Sequence, residues 1–181
     1  MPSWSLGSGK LLLLEGDIAR SDTDAVVNAA NSQLAGGGGV DGAIHRAAGW
    51  EALQGACRLH IDEYGELPAG QAMITPGFGL AARWIIHAVG PIWRGGHANE
   101  PDLLASAYRK SLRLAQEQDC ASVAFPALSC GAYGYPVELA APVALTELRQ
   151  GLEQGLVAEV RLTLFGKDNL VRWTDLAKRI L

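Results

Sequence analysis

Gly36-Gly37-Gly38-Gly39-Val40-Asp41-Gly42-Ala43-Ile44-His45-Arg46-Ala47-Ala48-Gly49 is the stretch on which the reading of this 181-residue chain turns. Glycine is costly inside a helix or a strand, so four in a row mark a loop, expected over residues 31–39. Beyond it Val40, Ala43, Ile44, Ala47 and Ala48 fall at helical spacing, which predicts a helix over 41–60 with Gly49 and Gly55 as weak points. Just before the loop, residues 24–30 carry Val26 and Val27 and read as a strand. Strand, glycine loop and helix in succession form the building unit of an α/β sheet.

The unit recurs further along. Residues 122–126 make a compact apolar strand without alternation, as expected if both faces are covered; a second glycine loop, 129–134, follows, and then a helix over 137–152. Residues 11–14 read as a strand separated from 24–30 by the polar turn Gly16-Asp17-Ile18. Residues 72–75 and 84–89 are two more, stopped by Pro76-Gly77 and Gly90-Pro91. Leu104, Ala107, Tyr108, Ser111, Leu112 and Ala115 give another helix its face, and Val160, Leu162 and Leu164 alternate with Arg161, Thr163 and Phe165 in a last strand before a helical tail over 170–181. The order predicts an α/β fold with helices on both sides of a sheet, and antiparallel pairing where two strands meet without a helix. One domain is expected at this length, burying about 70% of its unfolded surface.

Composition narrows the function classes. Apolar residues are 49% and charged residues 19%, which excludes disordered and fibrous classes. With 15 Lys and Arg against 19 Asp and Glu the net charge is -4, so general nucleic-acid binding is not expected. Cys57, Cys120 and Cys130 form no CxxC pair and do not suit a disulfide framework, so reduced thiols and a cytoplasmic location are expected. The early apolar run is far short of a signal core or a membrane span, so no membrane association is expected.

In an α/β sheet ligands bind outside the carboxyl ends of the strands, and both glycine loops leave such ends to enter helices. Backbone N–H groups and a helix N-terminus can hold an anion without Lys or Arg, so an acidic protein can bind a phosphate this way. Gly37, Gly39 and Gly42 imitate a dinucleotide fingerprint, with Asp62 beyond; yet residues 31–36 intervene after the strand and Asp62 follows a helix, which argues against hydride transfer. Gly9-Lys10 lacks the rest of a P-loop. Ala127-Leu128-Ser129-Cys130-Gly131 resembles a nucleophile elbow, but all four histidines precede Ser129, which leaves Cys130 best read as a small residue in a phosphate loop. No metal-ligand spacing occurs, and neither a metal nor another cofactor is expected.

Asp41 and His45, four apart, share a helix face and so can look into the cleft together. Without further context, a first-turn carboxylate favoured by the helix dipole and an ordinary surface histidine are the readings their positions favour. Asn28 and Asn31 suit recognition of a ribose hydroxyl or, alternatively, turn capping. Tyr133 and Phe165 can stack on a sugar or base, or serve a core.

Gly16-Asp17-Ile18, Val27-Asn28-Ala29-Ala30-Asn31, the stretch 36–49 and Ser129-Cys130-Gly131-Ala132-Tyr133-Gly134-Tyr135-Pro136 resemble the signature of MacroD-type macrodomains. The run 87–96, His-Ala-Val-Gly-Pro-Ile-Trp-Arg-Gly-Gly, is similar to the bacterial O-acetyl-ADP-ribose deacetylases within that family. The resemblance implies a three-layer α/β/α fold with a mixed central sheet, spanning 1–181, in which residues 1–10 carry no family feature. It implies ADP-ribose in the cleft: Asp17 and Ile18 at the adenine, Phe165 stacking near it, and Gly38, Gly39, Val40, Ser129, Cys130, Gly131 and Ala132 around the diphosphate. Asn31 and Tyr133 fall to the distal ribose, and Asp41, His45 and Asn31 to the chemistry. Asp41 is expected to orient the attacking water, with His45 or a substrate phosphate taking its proton. Ala19, Cys130 and Ala132 depart from the residues usual there and bear on pocket shape. The implied activity is hydrolysis of O-acetyl-ADP-ribose, extending to ADP-ribose on acidic side chains of mono-ADP-ribosylated proteins. The alternative is a non-catalytic ADP-ribose reader, which has no need of the Asp41-xxx-His45 pair. A monomer is expected.

Overall fold

Ala25 and Val27 point to one face of a strand and Val26 to the other, and all three are fully buried, so this strand is covered on both sides. The computed structural model describes Met1–Leu181. Its strands are β1 (Ser3–Leu6), β2 (Gly9–Glu15), β3 (Ala25–Ala29), β4 (Ala72–Pro76), β5 (Trp84–Ala88), β6 (Ser122–Phe125) and β7 (Glu159–Leu164), in one seven-stranded sheet of order β1-β2-β7-β6-β3-β5-β4. The inner strands from β2 to β5 run parallel, and β1 and β4 close the edges antiparallel. The mixed sheet is the one expected.

The helices are α1 (Gly39–Ala48), α2 (Trp50–Tyr64), α3 (Glu100–Glu117), α4 (Val137–Glu153) and α5 (Lys167–Ile180). Ile44 of α1 and Leu53 of α2 pack with Val26, Ile85 and Ala124 on one face. Leu104, Tyr108 and Leu112 of α3, Leu145 and Leu148 of α4 and Trp173 of α5 pack on the other with Val27, Ile86 and Phe125. Three layers, α/β/α, result, and no helix is long and apolar enough to cross a membrane.

One expectation needs correction, and one stretch for which no element was expected gains a place in the fold. The helix anticipated over 41–60 is two helices, α1 and α2, separated at Gly49, whose φ of 101° lies in the region that favours glycine. Within the first ten residues, β1 joins the sheet by pairing with β2 from Ser3↔Leu12 to Leu6↔Gly9, and Leu6 is buried. Four residues of Ser-Trp-Ser-Leu are too short a pattern to announce an edge strand.

β3 and β6 are parallel neighbours, so the glycine loops that leave them toward α1 and α4 stand side by side at the carboxyl ends of the strands. β7, next to β6, brings Leu164 and Phe165 to the same end. The first loop folds back tightly on its helix; a Cβ on Gly42 would stand 2.6 Å from the Gly37 carbonyl oxygen. Gly90, after β5, makes room for the second loop, because a Cβ there would collide with Ser129 Oγ.

Candidate functional site

Between the loops lies a cleft of about 490 Å³, a size ordinary for a small-molecule site. Asn31, Gly38, Gly39, Val40 and Asp41 line one wall, Ser129 to Tyr133 the other, and Phe165, Asn169 and Trp173 one end. The first turn of a helix leaves N–H groups without acceptors. The amides of Gly39, Val40 and Asp41 are in that position at the start of α1, and Gly131, Ala132 and Tyr133 likewise donate to nothing in the protein. Two short arrays of N–H donors therefore face one cavity, and one of them carries the positive end of the α1 dipole.

Asp41 is the carboxylate of this cleft. Its Oδ1 receives Asn28 Nδ2 at 2.8 Å and lies 2.9 Å from His45 Nδ1, while Oδ2 has no partner and is not among the solvent-sealed polar atoms. His45 does not line the cleft and is 1% exposed. Its Nδ1 also meets the Asp41 carbonyl oxygen at 2.9 Å, and its Nε2 meets Gln54 Nε2 at 2.8 Å. Gln54 Nε2 donates its other hydrogen to the Leu34 carbonyl at 2.9 Å, which fixes the amide orientation. Nε2 of His45 is thus an acceptor already taken, and the ring hydrogen sits on Nδ1, directed at Asp41. The imidazole stands behind the carboxylate and has no route to a proton from a water in the cleft, which corrects that expectation.

Asn28 is fully buried and lines no part of the cleft, so it contacts no ribose. Asn31 does line it, with its side chain occupied as a turn cap: Oδ1 accepts from Ala35 N at 3.0 Å and Nδ2 donates to Gly36 O at 3.0 Å. A second N–H and a second lone pair remain for a ligand. Asp17 is exposed, with Oδ1 capping the 3-10 turn Ile18–Arg20 through Ala19 N, and lies outside the cleft lining. Gly16 N donates to Leu164 O, which sets Asp17 beside the Leu164–Phe165 edge. The Ile18 side chain is in the core, leaving only its backbone for a ligand. Phe165 is 88% exposed at the rim, an aromatic face with no packing partner.

Ser129 has a φ of 67°, the backward turn typical of an elbow, yet its hydroxyl is spent on the Pro91 carbonyl at 2.7 Å. Burial pushes the Cys130 thiol up to about 12, which keeps it protonated. Neither serves as a nucleophile. Burial, and the negative charge of Asp41, push the Tyr133 hydroxyl up as well, placing that ring and the carboxylate in one electrostatic environment.

The family model described as the macro domain matches residues 27–144. This chain belongs to the macro domain family. A protein of Cronobacter turicensis named O-acetyl-ADP-ribose deacetylase is 58% identical over 137 residues, 76% of this chain and 77% of that protein. A macro domain-containing protein of Caldanaerobacter subterraneus is 51% identical over 156 residues, 86% of this chain and 89% of the other. The solved macrodomain of Oceanobacillus iheyensis with ADP superimposes with a TM-score of 0.90 at 40% identity, covering 99% of this chain and 93% of that one.

Several residues of this macro domain that shape the site escaped the sequence reading. Tyr108 of α3 receives Leu128 N at 3.1 Å and donates to Pro126 O at 3.4 Å, anchoring the approach to the second loop. Glu100 accepts the amides of Arg94, Gly96 and Ala98 at 2.6–2.9 Å, holding the segment whose Trp93 N donates to Tyr133 O. Gln54 lies in no motif, and His87, although it opens the run 87–96, had no role assigned to it. The one available signal was polarity inside apolar runs: His87 interrupts Ile85-Ile86 and Ala88-Val89.

Proposed function

We propose that this macro domain binds ADP-ribose in the cleft and hydrolyses O-acetyl-ADP-ribose, and that it also releases ADP-ribose from esters on acidic side chains of mono-ADP-ribosylated proteins. The observation that carries the reading is a carboxylate with one oxygen pinned and the other open, at the mouth of two N–H arrays in a family whose relatives include named deacetylases. The diphosphate takes the amides of Gly39 to Asp41 and of Gly131 to Tyr133, with Gly38, Ser129 and Cys130 packed around it. Adenine stacks on Phe165 with its amino group on the free oxygen of Asp17 and the Ile18 backbone beside it. The distal ribose lies against Tyr133 and the spare donor of Asn31.

Asp41 Oδ2 accepts a hydrogen from one water and orients it toward the ester carbonyl. The water oxygen bonds to the carbonyl carbon, the bond from that carbon to the ribose oxygen breaks, and the ribose oxygen recovers a proton as the acid departs. Since His45 is sealed off, the water's proton passes to the substrate, through its phosphate or the leaving oxygen. Holding reactants in line is then the main contribution of the protein. Free thiols suit a reducing cytoplasm, and the reading needs neither a metal nor a partner chain.

The test is mass-spectrometric hydrolysis of O-acetyl-ADP-ribose by the parent and by Asp41→Ala, with ADP-ribose affinity measured calorimetrically on both. Turnover lost in a variant that still binds supports the reading. A parent that binds and turns over neither this ester nor an ADP-ribosylated glutamyl peptide is a reader.

A further inference from the structure

We propose that His87 and Gln54, neither of which reaches the cleft, are positioning residues for Asp41, acting through Asn28 and His45, and that they reserve Oδ2 for the attacking water. The inference rests on the hydrolytic reading of the same cleft. Asn28 and His87 are register partners on β3 and β5, and Thr75 lies on β4, so a chain of polar side chains crosses three strands beneath the glycine loop. Thr75 Oγ1 donates to Pro76 O at 3.1 Å and so accepts from His87 Nε2 at 3.0 Å. His87 Nδ1 is then an acceptor, and Asn28 Nδ2 donates to it at 3.2 Å. The second hydrogen of the same nitrogen goes to Asp41 Oδ1. Both hydrogens of one amide are thereby directed, and Asn28 cannot turn over without setting its oxygen against a carboxylate.

The arrangement has a cost that a purely structural histidine does not explain. Asn28 Oδ1 is buried with no protein partner, a loss accepted so that the nitrogen can face both Asp41 and His87. On the far side Gln54 bridges Leu34 O and His45 Nε2, which forces the hydrogen of His45 onto Nδ1 and toward the same Oδ1. All six side chains, Thr75 included, are buried, and the two arms converge on one oxygen. Oδ2, 3.6 Å from where a Cβ on Gly37 would stand, is left facing the glycine loop.

The arrangement requires opposite tautomers in the two histidines: Nδ1–H at His45 and Nε2–H at His87. Long-range proton–nitrogen spectra of the ¹⁵N-labelled protein read both directly, with or without catalysis. An Asn at position 87 puts an amide oxygen where Nδ1 was, whereas a Gln reaches only the Nε2 position. His87→Gln is therefore expected to lower kcat at least tenfold with the ADP-ribose Kd changed less than threefold, and His87→Asn to recover most of the loss. Gln54→Leu, which does not touch the sheet, removes the donor that holds His45 Nε2 and so frees the ring to shift, and is expected to lower kcat in the same selective way. Nε2–H at His45 in the parent overturns the proposal, as do equal losses in the Asn and Gln variants or parallel losses of kcat and affinity. If the parent hydrolyses no ester, the hydrolytic reading fails alone, and the tautomers decide whether Asp41 is positioned as described.

Discussion

His45 Nδ1 lies 2.9 Å from Asp41 Oδ1, one turn along α1, with the imidazole buried behind the carboxylate on the side away from the cleft. A histidine in front of a carboxylate exchanges protons with substrate; one behind it fixes the rotamer. His45→Ala is accordingly expected to lower turnover about tenfold and Asp41→Ala by about 10² or more, the scale for losing the group that holds a reactant in line. ADP-ribose affinity should change less than about fivefold in either. The hydrolysis and calorimetry described above check this; a His45→Ala loss as large as that of Asp41→Ala would mean the ring takes part in the chemistry.

Gly42 and Gly90 test the loops from below. A methyl at Gly42 meets the Gly37 carbonyl at 2.6 Å, and one at Gly90 meets Ser129 Oγ, itself tied to Pro91. Backbone has to move in the first case, so Gly42→Ala should weaken ADP-ribose at least tenfold while circular dichroism stays that of the parent. Gly90→Ala displaces a short side chain that also holds the second loop and should lower both affinity and melting temperature. Parental affinity in Gly42→Ala would show that the first loop does not hold the ligand.

The glycine loops and their strands were legible because the signals are local: a run of glycines is costly inside an element, and helical spacing resumes at Val40. The Asp41–His45 pair was legible as a spacing, but spacing could not tell front from back. That depends on Gln54, which reaches His45 from α2, and on Asn28 from β3, contacts set by packing rather than by sequence neighbours. For the same reason Asn28 and Asn31, three residues apart and chemically alike, separate cleanly: the strand buries the first and the loop exposes the second to the cleft. β1 was missed because an edge strand gains its stability from a neighbour, β2, and needs little pattern of its own.

Phe165 offers an aromatic face with 88% of its surface open. A stacked ring pair contributes about 0.5 to 1.5 kcal/mol, so Phe165→Ala should weaken ADP-ribose roughly threefold to tenfold. Because nothing in the fold packs on the ring, the melting temperature should stay within about a degree, and turnover at saturating substrate should hold. Binding of ribose 5-phosphate, which lacks the base, should be indifferent to the change; a parallel loss for that ligand would place Phe165 away from the adenine.

His87 also sets how the protein meets acid. Burial lowers its folded pKa from 6.5 to about 3, while its close partners Asn28 and Thr75 are neutral. The unfolded chain therefore binds a proton below pH 6.5 that the folded chain refuses until about pH 3. Stability is complete above pH 6.5 and declines as pH falls through that window, by up to about 1.4 kcal/mol per unit from this group. Glu100 acts in the same direction but lower: burial disfavours its charge, the backbone amides of Arg94, Gly96, Glu100 and Ala98 outweigh that, and its carboxyl is brought from 4.5 to about 2, so its contribution fades only below pH 4.5. Between pH 6.5 and 4.5 His87 should thus dominate the slope. Urea denaturation across this range should show the parent losing stability steadily and His87→Asn, which has nothing to protonate, losing much less, with the two curves running parallel again below pH 3. Equal slopes in the two proteins would mean that His87 accepts a proton inside the fold, breaking the chain to Asn28 before the protein unfolds.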